Sequence, residues 1–212
     1  MTIAHGSPGE FNLGAAILAA GLSTRMGQPK LLLPWGDTSV IGHLLQAWTR
    51  LGVGQIAVVC AATASVIHAE MDRLHLARED RIANPSPDAG MFSSIQCAAR
   101  WPNWRTGLTH FAVVLGDQPH LRRSTLERVL DFAAAHPENI CQPLRNGRRR
   151  HPVILPRDSF MELREFPGND LKQFLNSVPE LLAGCEMDDP GLDLDMDSPA
   201  DYERVKSLAD LC

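Results

Sequence analysis

The residues best suited to chemistry come early, between Leu18 and Trp35. Gly21 and Gly27 permit positive φ and close backbone approach, Ser23 and Thr24 bring hydroxyls, and Arg25 and Lys30 bring fixed positive charge. The short apolar run Ala15, Ala16, Ile17 before them reads as a strand, so a strand empties into a loop of small residues. Exposed amides, hydroxyls and two cations after a strand suit a polyphosphate. An ordinary strand-to-helix turn would use the same glycines. A Walker A loop is excluded, since Gly21 and Gly27 have five residues between them and Lys30 follows three later. The closely spaced glycines of a dinucleotide fold are absent as well.

A second chemical group is Asp117, directly after the buried-strand run 111–116. A carboxylate there can hold Mg²⁺, which keeps much of its water and bridges one or two carboxylates to substrate phosphates; it can equally cap a helix or form a turn. Near the C-terminus Asp193, Asp195 and Asp197 alternate with Leu192, Leu194 and Met196, which in an extended segment sets three acids on one face. Such clustering costs energy unless a cation or solvent relieves it. Asp193 and Asp201 read as a solvated loop acid and a helix-dipole partner. Arg145, Arg148, Arg149 and Arg150 crowd one turn that reads as a solvated face. No Ser/His/Asp or Cys/His constellation is evident, and His43, His68, His75 and His110, without ligand spacing, read as helix or strand surface.

Leu18, Ala19, Ala20, Gly21, Ser23, Arg25, Met26, Gly27 and Lys30 resemble the signature loop of nucleotidyltransferases with a GT-A-type fold. Within these the chain looks most like the molybdenum cofactor nucleotidyltransferases, especially the molybdopterin cytidylyltransferase branch. The resemblance implies that Leu18 to Gly21, Ser23, Arg25, Gly27 and Lys30 bind the nucleotide, with Ala19 and Ala20 in the pattern of the cytidine branch. Gly116, Asp117, Gln118 and Pro119 resemble that branch's metal motif, and the segment 195–202 its C-terminal motif. Asp117 and Asp195 are therefore the expected metal ligands, with Asp197 close behind, and Arg25, Lys30 and Asp117 the expected catalytic residues. Asn84, Gly90, Ser93 and Ser94 match the loop that meets base and ribose; Ser93 and Ser94 could instead cap the following helix. His151 and Pro152 resemble the element beside the acceptor, with Arg150 where that element has glycine. The implied reaction is transfer of CMP from CTP to molybdopterin with Mg²⁺ and release of pyrophosphate. Use of GTP, or of a sugar or polyol phosphate, is the alternative within the class. A non-catalytic cofactor-binding chaperone for a molybdenum hydroxylase is the alternative outside it.

The chain of 212 residues, 44% hydrophobic and 21% charged, has globular composition and the length of one α/β domain over 13–212. Residues 1–12, polar and glycine-rich, read as a flexible tail without a secretory signal. No apolar run is long enough for a membrane span. A net charge of −5 argues against a nucleic-acid groove. Five scattered cysteines, Cys60, Cys97, Cys141, Cys185 and Cys212, fit a reduced cytoplasmic protein. Apolar periodicity predicts helices over 40–51, 65–76, 91–100, 157–165 and 170–177. A further helix over 124–135 opens on a Ser124/Glu127 capping box, and the last, over 199–208, follows Ser198 as cap. Strands are predicted at 56–60, 81–83, 110–115, 140–143, 152–155 and 182–187, the 140s and 150s forming a hairpin or a reversed strand. Strands alternating with helices predict a three-layer α/β/α, Rossmann-like fold with a mostly parallel sheet and one antiparallel element.

Overall fold

The computed structural model describes residues 11–21 and 26–209. Strands β1 (Leu13–Leu18), β4 (Gln55–Ala61), β5 (Arg81–Asn84), β6 (His110–Leu115), β7 (Ile140–Arg145), β9 (Val153–Pro156) and β10 (Leu182–Glu186) form one sheet in the order β10-β7-β9-β6-β1-β4-β5. β1 is parallel to both β4 and β6, β4 to β5 and β7 to β10, whereas β9 runs antiparallel to its neighbours β6 and β7. The expected reversed element is therefore β9, and the hairpin is a smaller feature. β8 (Arg148–Arg149) folds back on β7 through Asn146 and Gly147, both at positive φ, a two-residue turn whose twist matches that of the strands. The short β2 (Pro34–Trp35) and β3 (Thr38–Ser39) pair separately, ahead of the first long helix.

Alternation along β1 sorts the two faces of the sheet. Ala15 and Ile17 pack with Val40, Ile41, Leu44 and Trp48 of α1 (Val40–Arg50) and with the apolar sides of α2 (Ser65–Arg73), α4 (Arg123–Ala135) and α7 (Pro199–Ala209). Ala16 and Leu18 face α3 (Met91–Arg100), α5 (Arg157–Glu162) and α6 (Leu171–Ser177). The central strands are buried along almost their whole length, as a parallel sheet covered on both sides requires. In the α3 layer, Phe111 and Phe160 stack with ring centroids 4.3 Å apart, and Trp104 meets both edge-on.

Local signals account for most helix ends. Ser39 accepts from the Gly42 amide and opens α1. Ser198 and Asp201 form a reciprocal box at the start of α7, with the Ser198 amide on Asp201 Oδ2 at 3.1 Å and the Asp201 amide on Ser198 Oγ at 3.3 Å. α4 departs from expectation. It begins one residue early, behind Arg122, with no side-chain cap, because Glu127 is taken by Arg123 at 2.7 Å instead of reaching back to a Ser124 cap. α2 stops at Arg73 and α5 at Glu162, both short of the predicted spans.

His110 is also a correction: its side chain is only 4% exposed. Phe11 lies against its ring at 4.6 Å, and the Asn12 amide donates to Thr109 Oγ1, so these two residues of the expected tail are held against the sheet. The imidazole bonds the Pro137 carbonyl through Nε2 and Thr109 Oγ1 through Nδ1, each at 2.9 Å. Because Pro137 offers only an acceptor, Nε2 carries a proton and donates it there. Burial is the main cause that holds its pKa below the ordinary value, against the opposing pull of the Pro137 carbonyl. The unfolded chain thus takes up the second ring proton at higher pH than the folded one, so stability is lost as pH falls through and below ~6.5. Urea unfolding between about pH 7 and about pH 5 is expected to show a declining free energy, with a shallower decline in His110→Gln.

Candidate active site at the switch point

The chain runs from β1 outward to β4 and β5, then returns to place β6 on the other side of β1. The carboxyl ends of β1 and β6 therefore flank the topological switch point, where open α/β sheets bind ligands. Leu18 and Leu115 are partners in register there, and the Gly116 amide donates to the Leu18 carbonyl at 3.1 Å. Gly116 has to be glycine, since a Cβ would lie 2.5 Å from that same oxygen.

A cleft of about 360 Å³ opens at this point. Leu18, Ala19, Ala20 and Gly21 form one wall, Gly90, Met91 and Ser94 another, and Lys30, Gly116 and Asp117 lie at its end. The Lys30 ammonium donates to Asp117 Oδ2 at 2.7 Å and to Asp197 Oδ1 at 3.3 Å. Lys30 and Asp117 expose only 14% and 20% of their side chains, so water screens this pair weakly. Asp117 Oδ1 is buried and has no hydrogen-bond partner among the described residues. A buried carboxylate oxygen left open is costly unless a donor or cation reaches it.

The three C-terminal acids do not share one face. Pro190–Asp193 forms a 3₁₀ turn that breaks the alternation and sends each carboxylate elsewhere. Asp193 receives Arg145 Nε at 2.9 Å and Arg150 at 2.5 Å, and the Arg150 contact is the chief cause holding its pKa below the ordinary carboxylate range. Arg145 and Arg150 are thus paired, while Arg148 and Arg149 match the solvated reading. Asp195 accepts from Gln118 Nε2 at 3.3 Å, and Asp197 meets Lys30. Asp201 belongs to the α7 cap.

Asn84 does not line the cleft but orders its wall. It is 1% exposed, donates to Ser93 Oγ at 2.8 Å and Ser94 Oγ at 2.9 Å, and accepts from the Ser86 amide. Neither serine caps α3, whose N-cap is Gly90 at φ +89°, without a side-chain cap bond. Gly21 borders the cleft in ordinary backbone space; Gly27 has the positive φ of 68° but stands outside the lining. Ser23 and Arg25 lie outside the described residues. His151 bonds the Val113 carbonyl at 3.4 Å near Asp117 and Asp195, and burial pushes its pKa down against their pull. Pro152 is buried beside it.

Gln118, which the motif reading named without a role of its own, and two residues absent from the sequence reading, His120 and Asp189, hold this arrangement. Gln118 is 6% exposed and presents Asp195 with its amide. His120 contacts the Gly191 carbonyl at 3.0 Å, which requires its proton on Nε2, and its pKa is lowered chiefly by burial. Asp189, 3% exposed, accepts from Thr125 Oγ1 at 2.6 Å and from the Gly191 amide at 2.9 Å. Together His120 and Asp189 tie the segment carrying Asp195 and Asp197 to the loop after β6 and to α4. Of the latter two, only Asp189 left a trace in the sequence: Asp-Pro-Gly is an Asx-turn pattern.

Solved structures share this architecture. A Methanothermobacter nucleotidyl transferase matches with a TM-score of 0.75 over 94% of this chain and 98% of that one, at 21% identity. The doubly wound sheet with its β1/β6 switch point is the fold of that nucleotidyl transferase. Residues 15–181 match the MobA-like NTP transferase domain, and the chain belongs to that family of enzymes. It is 26% identical over 197 residues to the molybdenum cofactor cytidylyltransferase of Escherichia coli K12, covering 90% of this chain and 93% of the relative. Rv0371c of Mycobacterium tuberculosis H37Rv superposes with a TM-score of 0.73 at 26% identity, over 92% of this chain and 98% of that one. A further structure of Rv0371c is a complex with manganese. Among the described residues no helix is long and apolar enough to cross a membrane.

Two substitutions probe this construction. Gly116→Ala is expected to cost about 1–3 kcal/mol of stability, because the strand ends must separate to admit the methyl group. Asp189→Ala leaves the Thr125 hydroxyl and the Gly191 amide without their acceptor, an expected loss of about 1–3 kcal/mol. Urea unfolding measures both.

Proposed function

We propose that this nucleotidyltransferase moves CMP from CTP to the terminal phosphate of molybdopterin and releases pyrophosphate. The observation that carries the reading is Lys30, set between Asp117 and Asp197 at the end of a cleft walled by small residues. An ammonium there can neutralise charge on the α-phosphate and on the departing pyrophosphate. Arg25 is assigned the same work from its place in the signature loop. Ala19, Ala20 and Gly21 leave room for a nucleotide to approach the backbone; Gly90 and Ser94 in the facing wall are assigned to base and ribose, with Ser93, outside the lining, held by Asn84. The cytidine assignment follows the alanines and the likeness to the Escherichia coli cytidylyltransferase.

The acceptor needs little activation. A phosphate monoester has its second pKa near ~6 and is largely ionised at neutral pH. It can attack without a dedicated base, in keeping with a site that offers alignment and charge. His151 and Pro152, at the acceptor side, are assigned to positioning that phosphate. The His151 Nδ1 proton is held by the Val113 carbonyl, and burial disfavours the charged form of the ring, so it positions by shape without adding a fixed charge.

The residues present fit a divalent ion. Asp117 Oδ1 is an open, buried hard-oxygen donor, and Asp195 and Asp197 stand on the segment that returns to it. Among the described residues no cluster of three or more His, Cys, Asp or Glu forms a closed protein cage. Mg²⁺ suits such a site, because it takes one or two carboxylates and completes its shell with water and phosphates. We assign Asp117 and Asp195 as its ligands, with Asp197 the neighbour that keeps Lys30 in place. Bound there, Mg²⁺ would supply charge neutralisation to the phosphates.

The test is a pyrophosphate-release assay of ATP, CTP, GTP and UTP against molybdopterin and several sugar phosphates with Mg²⁺. Release only with CTP and molybdopterin is expected; GTP in its place would move the enzyme to guanylyl transfer, and indifference to molybdopterin would remove the acceptor. Lys30→Ala is expected to lower kcat/KM by about a hundredfold or more. Tight cofactor binding that survives Asp117→Ala, with no pyrophosphate from the unaltered protein, would indicate a carrier instead.

A further inference from the structure

A second hollow of about 850 Å³, more than twice the volume of the cleft, shares none of its lining residues. It lies against α1, the loop leading into α4, and α7. Its charge runs against that of the molecule: in a chain of net charge −5 it gathers Arg50, Arg122, Arg123 and Lys206 around a lone acid, Asp37. Those cations are poorly matched by the protein itself. Arg123 pairs with Glu127 at 2.7 Å, but Arg122 comes no nearer than 4.0 Å to Asp189. Among the described residues Lys206 meets the Tyr202 hydroxyl at 3.5 Å and the face of that ring. Arg50 is exposed and makes no ion pair among the described residues.

One feature of the wall adds to the cations in favouring an anion. α4, thirteen residues long, opens here without a side-chain cap and with no acid of its own in its first turn, so its positive end adds to the field of the hollow. His120, 7% exposed, is also in the lining. Its Nε2 donates to the Gly191 carbonyl, so the ring is a fixed part of the wall. Poorly matched cations from three elements and an uncapped helix start converge on one cavity.

We propose that this hollow is a binding site for a small phosphate-bearing polyanion, separate from the switch-point cleft. The shared chemistry is a phosphate oxygen held by Arg50 and Arg122 and by the first amides of α4. The probe is inorganic pyrophosphate, titrated into the full chain while backbone amide resonances are followed. Ser124 and Thr125 report the hollow, and Gly21 and Gly116 report the cleft. Saturable movement of Ser124 and Thr125 is expected, with a midpoint weakened about tenfold or more in Arg50→Ala/Arg122→Ala and largely recovered in Arg50→Lys/Arg122→Lys. The Gly116 midpoint should be the same in all three proteins. Immobile Ser124 and Thr125 resonances, or a midpoint indifferent to the alanine pair, would overturn the site. Silence at Gly21 and Gly116 would count against the nucleotide reading of the cleft and leave this one standing.

Discussion

The site depends on how closely β1 and β6 end beside one another. The Gly116 amide bonds the Leu18 carbonyl, and the space a side chain would need is already filled by that oxygen. At this place the two strands can stay paired to their last residues and then diverge. Ala19 to Gly21 go one way as a wall of small groups. Asp117 goes the other, its carboxylate carried to the edge of the same opening. Had the strands frayed a residue earlier, loop and acid would belong to different surfaces.

Around that point the charges hold one another. Lys30 and Asp117 are largely shielded from water, so an unpartnered charge on either would be costly, and Asp197 closes the arrangement from the last part of the chain. The segment bearing Asp197 is itself fastened by hydrogen bonds: Asp189 takes the Thr125 hydroxyl and the Gly191 amide, and His120 holds the Gly191 carbonyl. Tyr202 adds a hydrogen bond to the Pro34 carbonyl, joining α7 to the short β2 and β3 pair that follows the Lys30 loop. Electrostatic order at the centre thus rests on ordinary hydrogen bonding in its surroundings.

Much of this was legible from local pattern. Continuous apolar runs marked the central strands, and position after such a run marked Asp117 as lying at a carboxyl edge. What escaped depended on distant partners. Alternation of Asp193, Asp195 and Asp197 presumed extended backbone, but Pro190 and Gly191 start a 3₁₀ turn that redirects Asp193 to two arginines over forty positions away. Ser124 and Glu127 matched a capping box, yet Arg123, one helical turn before Glu127, offered a competing charge. His110 carried no sign of burial, because Phe11 and the Pro137 carbonyl that enclose it come from other parts of the chain. Asp189 looked like one acid among many until Thr125, 64 positions earlier, gave it a donor.

Lys30 meets Asp197 across a separation of 167 positions, and Tyr202 reaches Pro34 across 168. Contacts of that span form late in folding, since a long loop must close before they return any energy. During synthesis β1, β4, β5 and β6 can pair while the cation and its first acid are already in place, but the second acid arrives only with the final tenth of the chain. The emerging polypeptide therefore acquires its sheet well before it acquires a finished centre. The closing of the ring from both ends of the sequence is the step at which a folded scaffold becomes an enzyme.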